Sequence, residues 1–389
     1  MISNRISIYL LALGAFVLGT AEFIVSGILE VISEDLNVSI SLAGQLVTIY
    51  ALFYAVGALV LVMLTAKFER KKVLLYSMVI FIAGSILSFF SVNFSMLLLS
   101  RIVQAMSGGL YFVIATNYAA RLAEPAKRGG AIATVITGFT VSLVLGVPIG
   151  TLIAAFMDWR YIYLIIAAVT LINLMLINKY IPKLEGTTPI SLKHQLLLIK
   201  DKQLISGLLT TVFFFLAYTM VFAYIAPLLS SVSGFSIEKI STALFVLGVF
   251  AFIGSRFGGY AVDKWGPVRT IYISLIIHAA ALFLLTVTAA STIGVLLTLM
   301  IWGAAAWTTT PANQFYLISI KPQSSEIVLS FNTALMNIGM TLGAAFGGVV
   351  IQYTSIQNLG WIGGLIVLLA LIIASYSFAL NKKQAAKGI

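Results

Sequence analysis

Two ionisable residues sit inside apolar stretches, where a charge is costly. Glu22 lies in Leu10–Leu29, LLALGAFVLGTAEFIVSGIL, and Arg101 lies in LLLSRIVQAMSGGLYF. A carboxylate at bilayer depth costs about 2.5–3.5 kcal/mol on insertion scales, so it has to be maintained for a reason. On a helix, Ala15, Gly19, Glu22 and Ser26 fall on one small, polar face. Such a face suits a protein interior or a wet cavity, and the chemistry it offers is a carboxylate that gains and sheds a proton on a transport path. The competing reading is an acid tied to a neighbouring helix for packing. Arg101 shares a face with Gln104, Gly108 and Tyr111. An arginine stays charged and must find an anion or water. Arg101 is therefore expected to set the charge balance around Glu22, acting through water rather than by direct contact. Snorkelling from a position near the outer membrane surface is the alternative.

The uncharged candidates form a second group. Trp307, Thr310, Pro311 and Gln314 cluster in IWGAAAWTTTPANQFYLI; Asn332 and, on another face, Asn337 follow, while Tyr218 and Tyr224 precede Pro227. Aromatic rings with amides suit a planar, hydrogen-bonding solute, the rings stacking on it and the amides reading its edges. Ser26, Gln104 and Tyr111 are expected to line the same cavity. The competing reading assigns the Trp and Tyr residues to interfacial belts. Gly146-Val-Pro148-Ile-Gly150 pairs a smooth face with a bend, which suits either a pivot or ordinary close packing. Gly339, Gly343, Gly347 and Gly348 repeat the idea. A glycine-rich turn contains Gly259, Asp263 and Gly266; its Asp is expected to accept from adjoining helix N-termini and basic groups and so latch one conformational state. A plain basic anchor is the alternative for that turn. His278 reads as a packed or interfacial residue.

The elements that must position these groups are membrane helices. The chain has 389 residues, of which 61% are hydrophobic and 9% charged, against about 25% charged in soluble domains. Twelve apolar segments are expected at about 8–30, 41–64, 73–91, 95–120, 129–155, 160–180, 203–229, 239–261, 268–288, 291–316, 326–352 and 358–380. The first is longer than a signal-peptide core and leads into further spans, so a cleaved leader is not expected. With alternating helices, 20 of the 23 basic residues fall on one side; Arg160 and Lys239 face the other, and Arg101 is within a span. The positive-inside rule puts both termini in the cytoplasm. The net charge of +11 is thus mostly topology and attraction to anionic lipid, and nucleic acid is not an expected partner. Without cysteines there are no disulfides or thiolate-bound metals, and His194 and His278 suggest no metal cluster. The helices show no paired acids and no nucleophile with its base, so an enzyme is not expected.

A loop at 181–202, with Pro182, Gly186, Pro189 and a short apolar stripe that could lie on the membrane, separates an N-terminal bundle (1–180) from a C-terminal one (203–389). The basic turn KFERKK (67–72) returns about half a chain later as DKWGPVR (263–269). The first copy has Ala66 and Glu69 where an Asp and a Gly are expected. Two six-helix halves form a transporter architecture with a binding site near the midplane.

At this level the chain resembles the major facilitator superfamily, in its twelve-helix drug:proton antiporter group. LSRIVQAMSGG resembles the helix-4 motif, GVPIG the helix-5 antiporter motif, and GGYAVDKWG the loop motif; GTAEFIVSGIL is similar to the helix-1 acid motif of bacterial efflux members. EFIVSGIL, SLAGQLV, LTAKFERKK, WGAAAW…PANQ and SFNTALMNIG look most like bacterial purine base and nucleoside efflux pumps, with sugar and chloramphenicol exporters close in pattern. The resemblance implies an all-α fold of two pseudo-symmetric six-helix bundles in a bacterial cytoplasmic membrane. It further implies a monomer that exports a small molecule by alternating access, driven by the proton motive force without a bound cofactor. Glu22 and Arg101 would couple protons. Gly146, Pro148, Gly150, Gly259, Asp263 and Gly266 would serve the conformational switch.

Overall fold

The structure, a computed structural model, describes residues 2–124, 128–185 and 201–386. Among the described residues, twelve helices are long and apolar enough to cross a membrane. They are α1 (Ile2–Asp35), α2 (Ile40–Val56, continued through a π turn to Leu64), α3 (Arg70–Phe89) and α4 (Phe94–Leu122). α5 follows in two parts (Arg128–Val141 and Val147–Phe156, joined by the π turn Ser142–Gly146), then α6 (Arg160–Tyr180). The second set is α7 (Lys202–Phe222, then Ile225–Ser233), α8 (Ile237–Trp265), α9 (Pro267–Thr288), α10 (Thr292–Ile320), α11 (Ser325–Tyr353) and α12 (Asn358–Ala386). The surface-helix expectation falls largely on 186–200, outside the described residues, as do Lys127, Lys193, His194, Lys200 and Lys387.

The chain forms two compact units, Met1–Pro189 with Ser236–Phe245, and Ile190–Phe235 with Val246–Ile389. The first turns of α8 thus belong to unit 1, where Ser241 Oγ donates to the carbonyl of Pro148 at 2.8 Å.

The units repeat one plan. Their helices begin about 197 residues apart: Ile40 and Ile237, Arg70 and Pro267, Phe94 and Thr292, Arg128 and Ser325, Arg160 and Asn358. The opening helix of each is broken in the same way. Ile28 in α1 has φ −121°, ψ 18°, and Tyr224 in α7 has φ −116°, ψ 18°. The expected single span 203–229 is therefore two pieces. Pro227 lies in the first turn of the second piece, where a missing N–H leaves no helical bond unmade.

Close packing follows the small residues. A Cβ on Gly146 would land on Thr20, and one on Gly150 on Ile24, so α5 lies against α1 around Glu22. In unit 2, Gly339 and Gly343 bring α11 against the backbone of Val212 and Leu216 in α7. Pro148 is the second residue after the π turn Ser142–Gly146.

Helix ends are capped by side chains. Ser39, Asn93, Asp201 and Ser291 accept backbone N–H bonds from the first turns of α2, α4, α7 and α10. Asp201 also meets Lys321 Nζ at 2.8 Å, tying the start of α7 to the end of α10. Arg160, one of the two basic residues expected on the side opposite the others, is neutralised locally. It pairs with Asp35 at 2.8 Å and Asp158 at 3.3 Å and donates to the Ser91 carbonyl at 2.8 Å. The first-half basic turn and the end of α4 together grip the chain after α6: the Arg70 N–H donates to Leu184 O, Tyr118 Oη to Pro182 O and Arg121 to Glu185 O.

Candidate functional site

The centre of unit 1 gathers charge and phenols. Glu22 is 6% exposed, and Arg101, Gln104, Tyr50 and Tyr163 are buried. Arg101 does not pair with the Glu22 carboxylate. Its terminal nitrogens donate to the main-chain carbonyls of Ala21 at 2.6 Å and Glu22 at 3.2 Å, and to Gln104 Oε1 at 3.4 Å. Its guanidinium carbon stands 4.0 Å from the Tyr50 ring centroid. Gln104 passes the contact on, its Nε2 donating to Ser85 Oγ at 2.9 Å. Arg101 is thus fully enclosed, not snorkelling, and it grips the backbone of the acid's own turn.

Two polar atoms at this centre have no hydrogen-bond partner, Glu22 Oε2 and Tyr50 Oη, while the Tyr163 hydroxyl and Arg101 interact side chain to side chain. Tyr50 and Tyr54 lie within electrostatic range of Glu22, and Tyr163 within range of Arg101. Buried polar groups are nearly always satisfied, so an open carboxyl oxygen and an open phenol in one enclosed centre set it apart from the surrounding helix packing. Tyr50, Tyr54 and Tyr163 escaped the sequence reading. Their only signal was the i, i+4 placement of Tyr50 and Tyr54 on α2.

The remaining unit 1 candidates divide. Ser26 is buried one turn below Glu22. Tyr111 is elsewhere: its hydroxyl donates to the Leu11 carbonyl at 3.2 Å and fills the space over Gly14, making it a strut between α4 and α1. It shares Arg101's face but sits ten residues away, about 15 Å along the axis.

Unit 2 has an aromatic counterpart. Trp307 Nε1 donates to Tyr218 Oη at 3.3 Å, and Tyr218 stacks on Phe222 with centroids 5.4 Å apart and planes 12° apart. Trp302 packs 5.2 Å from Tyr218 and donates through Nε1 to His278 Nε2 at 3.0 Å, so His278 is a packed residue. A neighbouring cleft is lined by Thr210, Thr211, Phe214, Thr309, Asn313 and Asn332 among others. There Thr211 Oγ1 donates to Asn332 Oδ1 at 2.6 Å and accepts from Asn313 Nδ2 at 2.8 Å. Asn332 therefore belongs with Thr211 and Asn313, while Gln314 stands half-buried outside both groups.

The expected loop latch differs from its forecast. Gly266, at φ 78°, makes the turn into α9. Gly259 is helical and faces open space, so nothing approaches it closely. Asp263 is exposed, with no hydrogen bond or ion pair among the described residues; adjacent Lys264 turns to Tyr260 Oη at 3.1 Å. Among the described residues no three His, Asp or Glu side chains gather as a metal site.

Twelve spans in two repeated units, each with polar groups enclosed at its centre, define a multi-pass membrane transporter. The chain belongs to the Major Facilitator Superfamily, whose profile matches residues 11–326. It is 39% identical over 387 residues to the uncharacterized MFS-type transporter YbcL of Bacillus subtilis (strain 168), covering 100% of this chain and 99% of that one. It is 33% identical to the uncharacterized MFS-type transporter YtbD of the same organism, covering 98% of each. Among solved structures it is similar to a D-xylose–proton symporter (TM-score 0.80, 20% identity, 95% of this chain and 97% of that one). It is also similar to a bacterial homologue of the human lysosomal transporter Spinster, in an inward-facing and occupied conformation (TM-score 0.80, 16% identity, 97% of each chain). At such identities these structures speak for the fold alone.

Proposed function

We propose that the protein is a proton-coupled exporter of a small, flat, hydrogen-bonding solute, of the purine base or nucleoside class. The observation that carries this reading is the open carboxyl oxygen of Glu22, buried in a span beside an arginine whose charge is already committed to neutral groups. A carboxylate that is not needed as a counter-ion is free to take and release a proton. Each inward proton draws on the membrane potential, about 2.3 kcal/mol per charge per 100 mV. The Tyr218–Trp307–Phe222 rings, the Thr211 hydroxyl and the Asn313 and Asn332 amides supply surfaces for stacking and edge recognition. The reading includes a cytoplasmic membrane location with both termini inside, and action as a monomer.

A second substrate class has support from the same open oxygen: a lipophilic cation or antibiotic, paired with Glu22 in place of the proton. Transport into inverted membrane vesicles separates the two, with radiolabelled adenine and guanosine as one set of probes and ethidium as the other. Glu22→Gln is expected to abolish accumulation driven by an imposed pH gradient. Full gradient-driven accumulation by that variant would end the proposal.

A further inference from the structure

Glu22 and Arg101 are close enough to feel each other electrostatically, yet they do not form an ion pair. An arginine prefers a carboxylate, which it grips with two charge-assisted bonds. Something must therefore hold the guanidinium aside. It is held by two carbonyls of α1, one amide oxygen of α4 and the Tyr163 hydroxyl of α6, all neutral. Its flat face rests on the Tyr50 ring at 4.0 Å. In a desolvated interior such a cation–aromatic contact is at its strongest. Tyr50 is itself fixed by packing with Tyr54 and Ala105, and its hydroxyl lies over Gly108. That hydroxyl has no partner, so the ring, not the oxygen, makes the contact that matters.

Resting on the reading of Glu22 as the proton site, we infer that Tyr50 is a positioning residue for coupling: its ring keeps Arg101 on the Ala21 and Glu22 carbonyls and so keeps Arg101 from neutralising the Glu22 carboxylate. The groups facing Glu22 are few. α4 brings Arg101, α2 brings Tyr50 and Tyr54, and α6 brings Tyr163 behind Arg101. α5 carries no ionisable side chain from 131 to 156. With the ring removed, the flat face of the guanidinium loses its support, and Arg101 is free to swing onto the carboxylate. An ion pair would hold that group charged and move proton uptake to lower pH.

The test needs no substrate. The infrared carbonyl band of protonated Glu22, identified as the band missing in Glu22→Gln, is titrated in the purified full-length protein in lipid. Tyr50→Leu is expected to move half-titration of the band to lower pH by about one unit or more. Tyr50→Phe, which keeps the ring, is expected to titrate like the unchanged protein. Tyr50→Met stands in if the Leu variant does not give a monodisperse helical protein. A Leu or Met variant that titrates like the unchanged protein overturns the role of Tyr50, as does a Phe variant shifted as far as Leu. Absence of any Glu22-dependent band in the unchanged protein overturns the proton-site reading as well, so the two failures are distinct.

Discussion

Replacing Arg101 by glutamine separates its structural from its functional weight. The side chain makes hydrogen bonds of 2.6, 3.2 and 3.4 Å and a ring contact at 4.0 Å. Charge-assisted bonds contribute about 1.5–3 kcal/mol each, and a desolvated cation–aromatic contact about 2 kcal/mol. Two good bonds, one long one and the ring thus amount to roughly 5–8 kcal/mol gross. Against this stands the cost of keeping a guanidinium out of water, several kcal/mol in its own right. Glutamine removes both sides of the balance. It orphans little, because the carbonyls of Ala21 and Glu22 keep their own partners inside α1, and Gln104 keeps Ser85. The net loss is expected at about 0–2 kcal/mol, a fall of a few degrees in melting temperature. Coupling should respond far more strongly, because α4 no longer holds α1 at the turn that carries the acid. In proteoliposomes, gradient-driven accumulation of adenine or guanosine should fall to simple equilibration while the protein still melts as a folded species. Unchanged accumulation would remove Arg101 from the mechanism. Collapse of the fold would show instead that the burial cost had been overstated and that the arginine is a structural pin.

Two further outcomes follow from packing and charge. Gly146→Ala places a methyl on the Thr20 side chain and should destabilise the protein by about 1–3 kcal/mol through overpacking. Thr20→Ala in the same chain should recover most of that in thermal melts, and purely additive losses would sink the contact as the cause. The second concerns Asp201. Partial burial pushes its carboxyl up, but Lys321 and the N–H groups of Leu204 and Gln203 outweigh that and hold it below its ordinary value. A lowered folded value means the stabilisation is complete above the unfolded value, about 3.9, and fades as pH falls through the folded one. Asp201→Asn should therefore cost up to about 1 kcal/mol at neutral pH and nothing once the carboxyl is protonated. A penalty that persists in acid would place the effect in the cap rather than the charge.

Much of this was legible because membranes restrict what a chain can do. Every backbone polar group must be satisfied within its own span, so apolar length alone locates the helices. An acid or arginine inside one stands out against its neighbours, as Glu22 and Arg101 do. Gly146 and Gly150 were legible as a smooth face, although only coordinates show that the face meets Thr20 and Ile24 on either side of the acid. What sequence hid was company. Tyr50 and Tyr163 read as ordinary aromatics in apolar helices, and their meaning comes from the guanidinium they meet across other helices. Periodicity fixes a side chain's face but not its level, so it could not show that the Tyr111 hydroxyl meets the Leu11 carbonyl. Lys321 read as a generic basic anchor because its partner, Asp201, lies on a helix more than a hundred residues away.

The repeat gives the two centres a common frame. Glu22 and Tyr218 each stand six residues before the break in the opening helix of their unit, at Ile28 and Tyr224. The same backbone position therefore carries an acid in one unit and a phenol in the other. Their surroundings diverge in step. Beside Glu22 the neighbouring helices place a fixed cation and an open phenol hydroxyl; beside Tyr218 they place Trp302, Trp307 and Phe222. An acid set among stacked rings would lack the polar surroundings that let it shed its proton, and a flat solute set against Arg101 would meet a charge it could not match. Duplicating one scaffold and giving each copy a different chemistry removes that conflict. The proposed proton site is then tuned by Arg101 and Tyr50, and the proposed solute surface by the rings around Tyr218.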